Sequence, residues 1–102
     1  LAVRFFNNLI DEDPDFAEAW NKRATVYFMM GDFDKSMQDI IKTLELEPRH
    51  FGALDGMGLI FIHQGQYQQA IDVYDKMLEI FPFSIKTMEK KENIMSFISQ
   101  ST

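Results

Sequence analysis

Apolar residues along this chain recur at helical spacing, and the helices themselves recur at a fixed step. Gly31, Phe33, Ser36 and Pro48 are followed 34 positions later by Gly65, Tyr67, Ala70 and Pro82, and Pro14 precedes Pro48 by the same step. A fixed period of this length means that one supersecondary unit is being stacked. Ala2, Val3, Phe6, Leu9 and Ile10 predict an amphipathic helix over Leu1 to Ile10. Asp11-Glu12-Asp13-Pro14 ends it, because the residue before a proline is pushed out of the helical region. Asp15 is placed to cap a second helix, with Glu18 as its reciprocal partner. That helix runs through Trp20, Ala24 and Tyr27 to about Met30, where Gly31-Asp32 breaks it with a left-handed cap. The third helix, from about Phe33 to Leu46, turns Phe33, Met37, Ile40, Ile41 and Leu44 inward, and Pro48 follows.

The same pattern then repeats. A fourth helix from about Phe51 to Gln64 uses Leu54, Met57, Phe61 and Ile62, and Gly65 breaks it. A fifth, from about Tyr67 to Ile80, uses Tyr67, Ala70, Ile71, Tyr74 and Leu78, and Pro82 follows. Ser84 is placed to cap a sixth helix to about Ile98, with Ile85, Met88, Met95 and Ile98 on one face and Ser99 to Thr102 expected to fray. Thr25-Val26-Tyr27-Phe28 is β-prone but sits inside a helical period, so packing is expected to override propensity. No stretch reads as a strand.

At Trp20, Ala24, Tyr27, Gly31, Phe33, Ser36, Ile40, Leu44 and Pro48 the chain resembles a tetratricopeptide repeat. A second copy resembles it at Leu54, Gly58, Phe61, Gly65, Tyr67, Ala70, Tyr74, Leu78 and Pro82. The resemblance implies an all-α solenoid of antiparallel helix hairpins, about six helices forming a superhelix. It implies a second helix of a partial repeat over 1–16, repeats over 17–50 and 51–84, and a C-terminal capping helix over 85–102, all in one domain. Physical reasoning supports it: small residues where Ala24 faces Ser36, and Gly58 faces Ala70, let helices approach to the ~8–10 Å of close packing. Aromatic rings at Trp20, Tyr27, Phe33, Tyr67 and Tyr74 fill the gaps around those contacts. Arg23 stands where the family has an apolar residue and is read as a snorkelling stem. Thr43 and Met77 replace a small residue, and Met is pliable enough to fit. In the sixth helix Glu92 takes the small position and Lys91 an apolar one, which suggests a solvent-facing cap.

Composition narrows the function. With 102 residues, 46% of them hydrophobic, the chain can build a core. No apolar run approaches the ~18–20 residues of a membrane-spanning helix. A net charge of −6 makes phosphate backbones and anionic lipids poor partners, so neither nucleic acid nor membrane insertion is expected. The absence of Cys removes disulfides, thiolate metal sites and a Cys nucleophile. It leaves the compartment open, a soluble protein of cytoplasm or periplasm fitting equally. No signal peptide is visible, but the chain starts at Leu1 within a repeat pattern, so a piece of a longer protein is expected.

No catalytic constellation emerges. Asp11, Asp13 and Asp15 alternate as in a calcium loop, but Phe16 stands where that loop needs Gly and Lys22 where it needs Glu. His50 and His63 form no metal-ligand pair. Ser36 lies in no nucleophile elbow. Gly52, Gly56 and Gly58 lie inside a helix, so they thin it for packing rather than cradle phosphate. No enzyme activity, cofactor or metal is expected.

What remains is a surface. Stacked hairpins present a concave face, the usual binding site of solenoids. By the resemblance the first helix of each hairpin lines it. The candidates are Asn21, Thr25, Phe28 and Met29, then Asp55, Leu59, Ile62 and His63, then Lys86, Lys90 and Asn93. Phe28, Met29 and Ile62 read equally well as core. The expected function is a non-enzymatic scaffold that binds a peptide or protein segment in this groove. Some family members clamp the terminal carboxylate of chaperone tails with Lys and Asn side chains. Asn21, Thr25 and Gly56 do not supply that set, and only Lys86 and Lys90 fit it. Two other readings stand beside the first: self-assembly through the apolar ends, with Leu1 to Ile10 at one and Met95, Phe97 and Ile98 at the other, and a regulatory segment of a larger protein.

Overall fold

The computed structural model describes residues 1–101, which form six helices and no strand. They are α1 (Ala2–Glu12), α2 (Ala17–Met29), α3 (Phe33–Leu46), α4 (Phe51–His63), α5 (Tyr67–Ile80) and α6 (Ile85–Ser101). The all-α expectation holds. The bounds of α3 and α5 are those read from the sequence, because each has a glycine turn before it and a proline after it. Gly31 and Gly65 adopt φ of 80° and 73°, the left-handed region that closes a helix without a Cβ clash. α6 continues through Ser99 to Ser101 where fraying was expected, and Thr102 lies outside the described residues.

The chain divides into two compact units, Leu1–Gly56 and Met57 onward. In the first, α1 packs on α2 and α2 on α3. The α2–α3 partners run in opposite directions: Trp20 meets Lys42, Arg23 meets Asp39, Ala24 meets Ser36 and Tyr27 meets Lys35. This is an antiparallel hairpin. At its closest point the Ser36 hydroxyl donates to the Ala24 carbonyl at 2.7 Å, with both residues buried. Small side chains here allow the approach, and the hydrogen bond satisfies a hydroxyl whose burial would otherwise cost about 1–3 kcal/mol. Ile10, Ala17, Ala19, Ile40, Ala53 and Leu54 are the other buried apolar residues of this unit.

Arg23 is not a snorkelling stem. Its Nε and Nη2 each donate to the Asp39 carboxylate at 2.8 Å, and its Nη1 donates to Asn7 Oδ1 at 2.7 Å. One guanidinium thus ties α1, α2 and α3 together, with its planar fork matched to the carboxylate. Asp39 is almost fully buried, and the bonds to it raise the Arg23 pKa above its ordinary value. Ile41, expected inward, is 47% exposed, because the buried stripe of α3 passes through Ser36, Asp39, Ile40 and Thr43.

Asp15 does not cap α2. Phe16 occupies the cap position without a side-chain bond, and the Asp13 carboxylate accepts the Asp15 N–H at 3.2 Å. The Trp20 indole N–H donates to the Pro14 carbonyl at 2.8 Å and anchors this loop. Asp32 caps α3 by accepting the Lys35 N–H. His50 caps the first turn of α4, its Nδ1 accepting the Ala53 N–H at 3.0 Å while Nε2 faces Glu18 at 3.2 Å. An accepting Nδ1 puts the ring proton on Nε2, where it donates to Glu18.

In the second unit Tyr74, Ala70 and Ile60 are fully buried. Gly58 makes room for the Tyr74 ring: a Cβ there would fall 2.8 Å from Tyr74 Cε1. The sequence assigned Gly58 to Ala70, but the ring is the tighter neighbour. α5 packs on α6, with Tyr67 against Phe97 and Asp75 bonded to Lys91 at 2.6 Å. Ser84 caps α6, its hydroxyl accepting the Thr87 N–H at 3.4 Å and pairing with the Thr87 hydroxyl at 2.9 Å. The buried stripe of α6 is Thr87 and Ile94, flanked by half-buried Lys91 and Ile98. Ile85, Met88 and Met95, read from the sequence as sharing one face, are exposed.

Candidate functional site

Three helices of the second unit enclose an open, mainly apolar pocket of about 360 Å³. α4 contributes Leu59 and Ile62, and α5 contributes Tyr67 and Tyr74. α6 contributes Lys90, Asn93, Ile94 and Phe97, which fall at i, i+3, i+4 and i+7 and so share one helical stripe. Tyr67 and Phe97 meet edge to face, ring centres 5.1 Å apart and planes at 62°, and stiffen one wall. Asp75 and Lys91 hold α6 to α5. The pocket can receive an apolar side chain, while Lys90 and Asn93 supply donors for a carbonyl or carboxylate beside it.

Four of the residues expected to bind, Leu59, Ile62, Lys90 and Asn93, are therefore brought together. Ile62 is half-buried as a pocket wall. His63 and Lys86 are exposed in the same unit but do not line the pocket. Tyr67, Tyr74, Ile94 and Phe97 were not among the expected site residues. The first two had been assigned to the core, and the same α6 stripe that carries Lys90 and Asn93 could have pointed to the other two.

In the first unit the expected residues are largely engaged locally. The Asn21 side-chain amide donates to Glu18 at 3.4 Å, and the Thr25 hydroxyl donates to the Asn21 carbonyl at 3.1 Å. Phe28 is half-buried against Phe33, ring centres 5.2 Å apart. Asp55 is half-buried, and Met29 is 79% exposed. Partial burial raises the Glu18 carboxyl, but the hydrogen bonds from His50 and Asn21 and the nearby Lys22 charge outweigh it, so its pKa lies below the ordinary 4.5. Among the described residues no group of three or more His, Cys, Asp or Glu could hold a metal ion. Nor is any helix among the described residues long and apolar enough to cross a membrane.

Antiparallel helix pairs with small residues at the close contact, repeated at a fixed step, define a helical-repeat protein. Residues 5–38 and 51–84 each match a tetratricopeptide repeat family model. The chain belongs to the tetratricopeptide repeat family. It is 41% identical over 95 residues to a TPR repeat-containing protein of Rhizobium etli, covering 93% of this chain and 46% of that protein. It is 29% identical to the Bos taurus DnaJ homolog subfamily C member 3, covering 92% of this chain and 19% of that one. The chain thus spans under half the length of these relatives. The solved structure of the first TPR of Spaghetti (RPAP3) bound to the HSP90 peptide SRMEEVD superposes with a TM-score of 0.87 at 18% identity, covering 95% of this chain and 77% of that chain.

Proposed function

We propose that this chain is a non-enzymatic protein-interaction scaffold, and that the pocket of its second unit anchors an apolar side chain of a bound peptide segment. The observation that carries the reading is the pocket itself: Leu59, Ile62, Tyr67, Ile94 and Phe97 around about 360 Å³, with Lys90 and Asn93 beside them. An apolar pocket with a few polar groups at its edge is the usual chemistry of peptide recognition. The related fold bound to an HSP90 peptide supports peptide binding as the mode. The residues differ from a terminal-carboxylate clamp, since Asn21 is spent on Glu18 and Gly56 offers no side chain. The apolar anchor therefore dominates, and an internal peptide segment serves as well as a C-terminal one. Asn21, Thr25, Phe28, Met29 and Asp55 on the first unit, and His63 and Lys86 on the second, are offered as further contacts of a bound segment. The repeats are placed at 17–50 and 51–84, a phase that the Pro48–Pro82 step and the family match over 51–84 support, whereas the match over 5–38 straddles the first boundary.

A heptapeptide array tests the reading. One central position is varied through Ala, Met, Leu, Phe and Asp, with both free and amidated C-termini. Binding is expected to rise with the size of the apolar residue, to change less than about threefold (under 1 kcal/mol) on amidation, and to be lost with Ile62→Glu. A signal that Ile62→Glu leaves intact would remove the pocket from the function.

A further inference from the structure

The turn that leads from one repeat into the next is made three times in this chain, and its third copy carries residues that the turn does not need. Phe16, His50 and Ser84 each donate the backbone N–H to a carbonyl three residues back, at Asp13, Glu47 and Phe81, so the three turns share one conformation. The proline inside each is Pro14, Pro48 and Pro82. On either side of that proline stand Asp13 and Asp15 in the first copy and Glu47 and Arg49 in the second, all exposed. In the third copy they are Phe81, 55% exposed, and Phe83, 89% exposed. Glu47 and Arg49 are exposed with three helices before them and three after. The exposure of Phe81 and Phe83 therefore belongs to their place in the turn, not to their nearness to the chain's end. Charged residues build the same turn twice, so the two rings serve neither the turn nor the core. Paired rings held outward on a proline-stiffened turn form a contact patch.

We propose that Phe83 of one copy of the chain inserts into the apolar pocket of another, with Phe81 and Pro82 against its rim, an occupancy that rests on the pocket's proposed role as an anchor for apolar side chains. The pocket measures about 360 Å³, room for a phenyl ring, and sets aliphatic Leu59 and Ile62 beside aromatic Tyr67 and Phe97. Edge-to-face contact with those two rings favours a phenyl group over an aliphatic one. Lys90 and Asn93 supply donors for backbone carbonyls of the turn that carries it. Phe83 does not reach the pocket of its own copy. It precedes α6, whose pocket wall begins seven positions further on at Lys90. A helix rises about 1.5 Å per residue, so the two are about 10 Å apart along the axis. Turn and pocket are separate places on the second unit, so each copy gives and receives at once. A lipid surface is the other home for exposed rings, and a net charge of −6 sets the chain against anionic bilayers.

Sedimentation equilibrium and heptapeptide binding, on the 102-residue chain and two variants, test this. Phe83→Arg gives the third turn the residue type that Arg49 supplies in the second, and leaves the pocket whole. Ile62→Glu spoils the pocket and leaves the turn whole. The wild-type average mass is expected to rise above the 12.0 kDa chain mass with concentration, and each variant by itself to stay at it. Mixed, the variants should pair one to one, the first receiving and the second giving, which also shows that both are folded. The central-Phe heptapeptide should bind Phe83→Arg with one Kd at every protein concentration. It should bind wild type about twofold more weakly once half the pockets hold Phe83. A wild type monomeric at millimolar concentration overturns the proposal. If that monomer still binds the heptapeptide, the pocket's proposed function stands; if phosphatidylcholine vesicles bind it and not Phe83→Arg, the turn belongs to a lipid surface. Association that survives either variant, or a mixture that stays monomeric, overturns the proposal as well.

Discussion

Arg23 and Asp39 occupy positions where two apolar side chains would build a simpler hairpin. Breaking such a pair from one side strands the other charge, whereas replacing both is often neutral. Asp39→Ala is therefore expected to cost about 3 kcal/mol in urea unfolding, and the double variant Arg23→Met/Asp39→Leu to recover most of it. If the double variant is as unstable as the single, the pair contributes more than mutual neutralisation. At Glu18 the folded pKa lies below the ordinary 4.5, so its contribution to stability is fully present above that value and is lost as pH falls through the lower one. The stability difference between wild type and Glu18→Gln should be constant above about pH 5 and shrink as the medium becomes more acidic. A difference that persists undiminished at pH 2 removes the carboxylate charge from the explanation. Local pattern pointed to neither site. Asn7, Arg23 and Asp39 are 16 residues apart in turn, and His50 and Glu18 are 32 apart, so these bonds are visible only once the helices are packed.

At the scale of elements the glycines divide by what surrounds them. Gly56 and Gly58 both lie inside α4, where Ala would gain about 1 kcal/mol of helix propensity. A Cβ at Gly56 meets the terminal methyl of Ile40 at 3.3 Å, while one at Gly58 meets the Tyr74 ring at 2.8 Å. Gly56→Ala should be neutral or slightly stabilising in thermal melts, and Gly58→Ala should lose about 1–3 kcal/mol through overpacking. Equal effects would mean that Tyr74 yields more easily than its full burial implies. Gly31→Ala and Gly65→Ala should each cost about 1–2 kcal/mol from φ alone, since nothing lies near either. Helix positions were legible because glycine and proline punctuate them. The orientation of α6 was not: its period fits more than one stripe, and packing on α5 selected Thr87 and Ile94 rather than Met88 and Met95.

For the whole molecule, the repeating step carries the identification: the same residue types return at the same places, and the family matches fall on them. Leu59, Ile62, Lys90 and Asn93, read from the sequence as groove residues, line one pocket. The pocket's aromatic walls were not legible as such, because Tyr67 and Tyr74 read as core; Tyr67 is half-buried and Tyr74 fully buried. The most direct test of the account is backbone-amide NMR during titration with a heptapeptide carrying a central Phe. The account predicts shifts concentrated at Leu59, Ile62, Tyr67, Lys90, Asn93 and Phe97, abolished in Ile62→Glu. Shifts concentrated elsewhere, or unchanged in that variant, would contradict it.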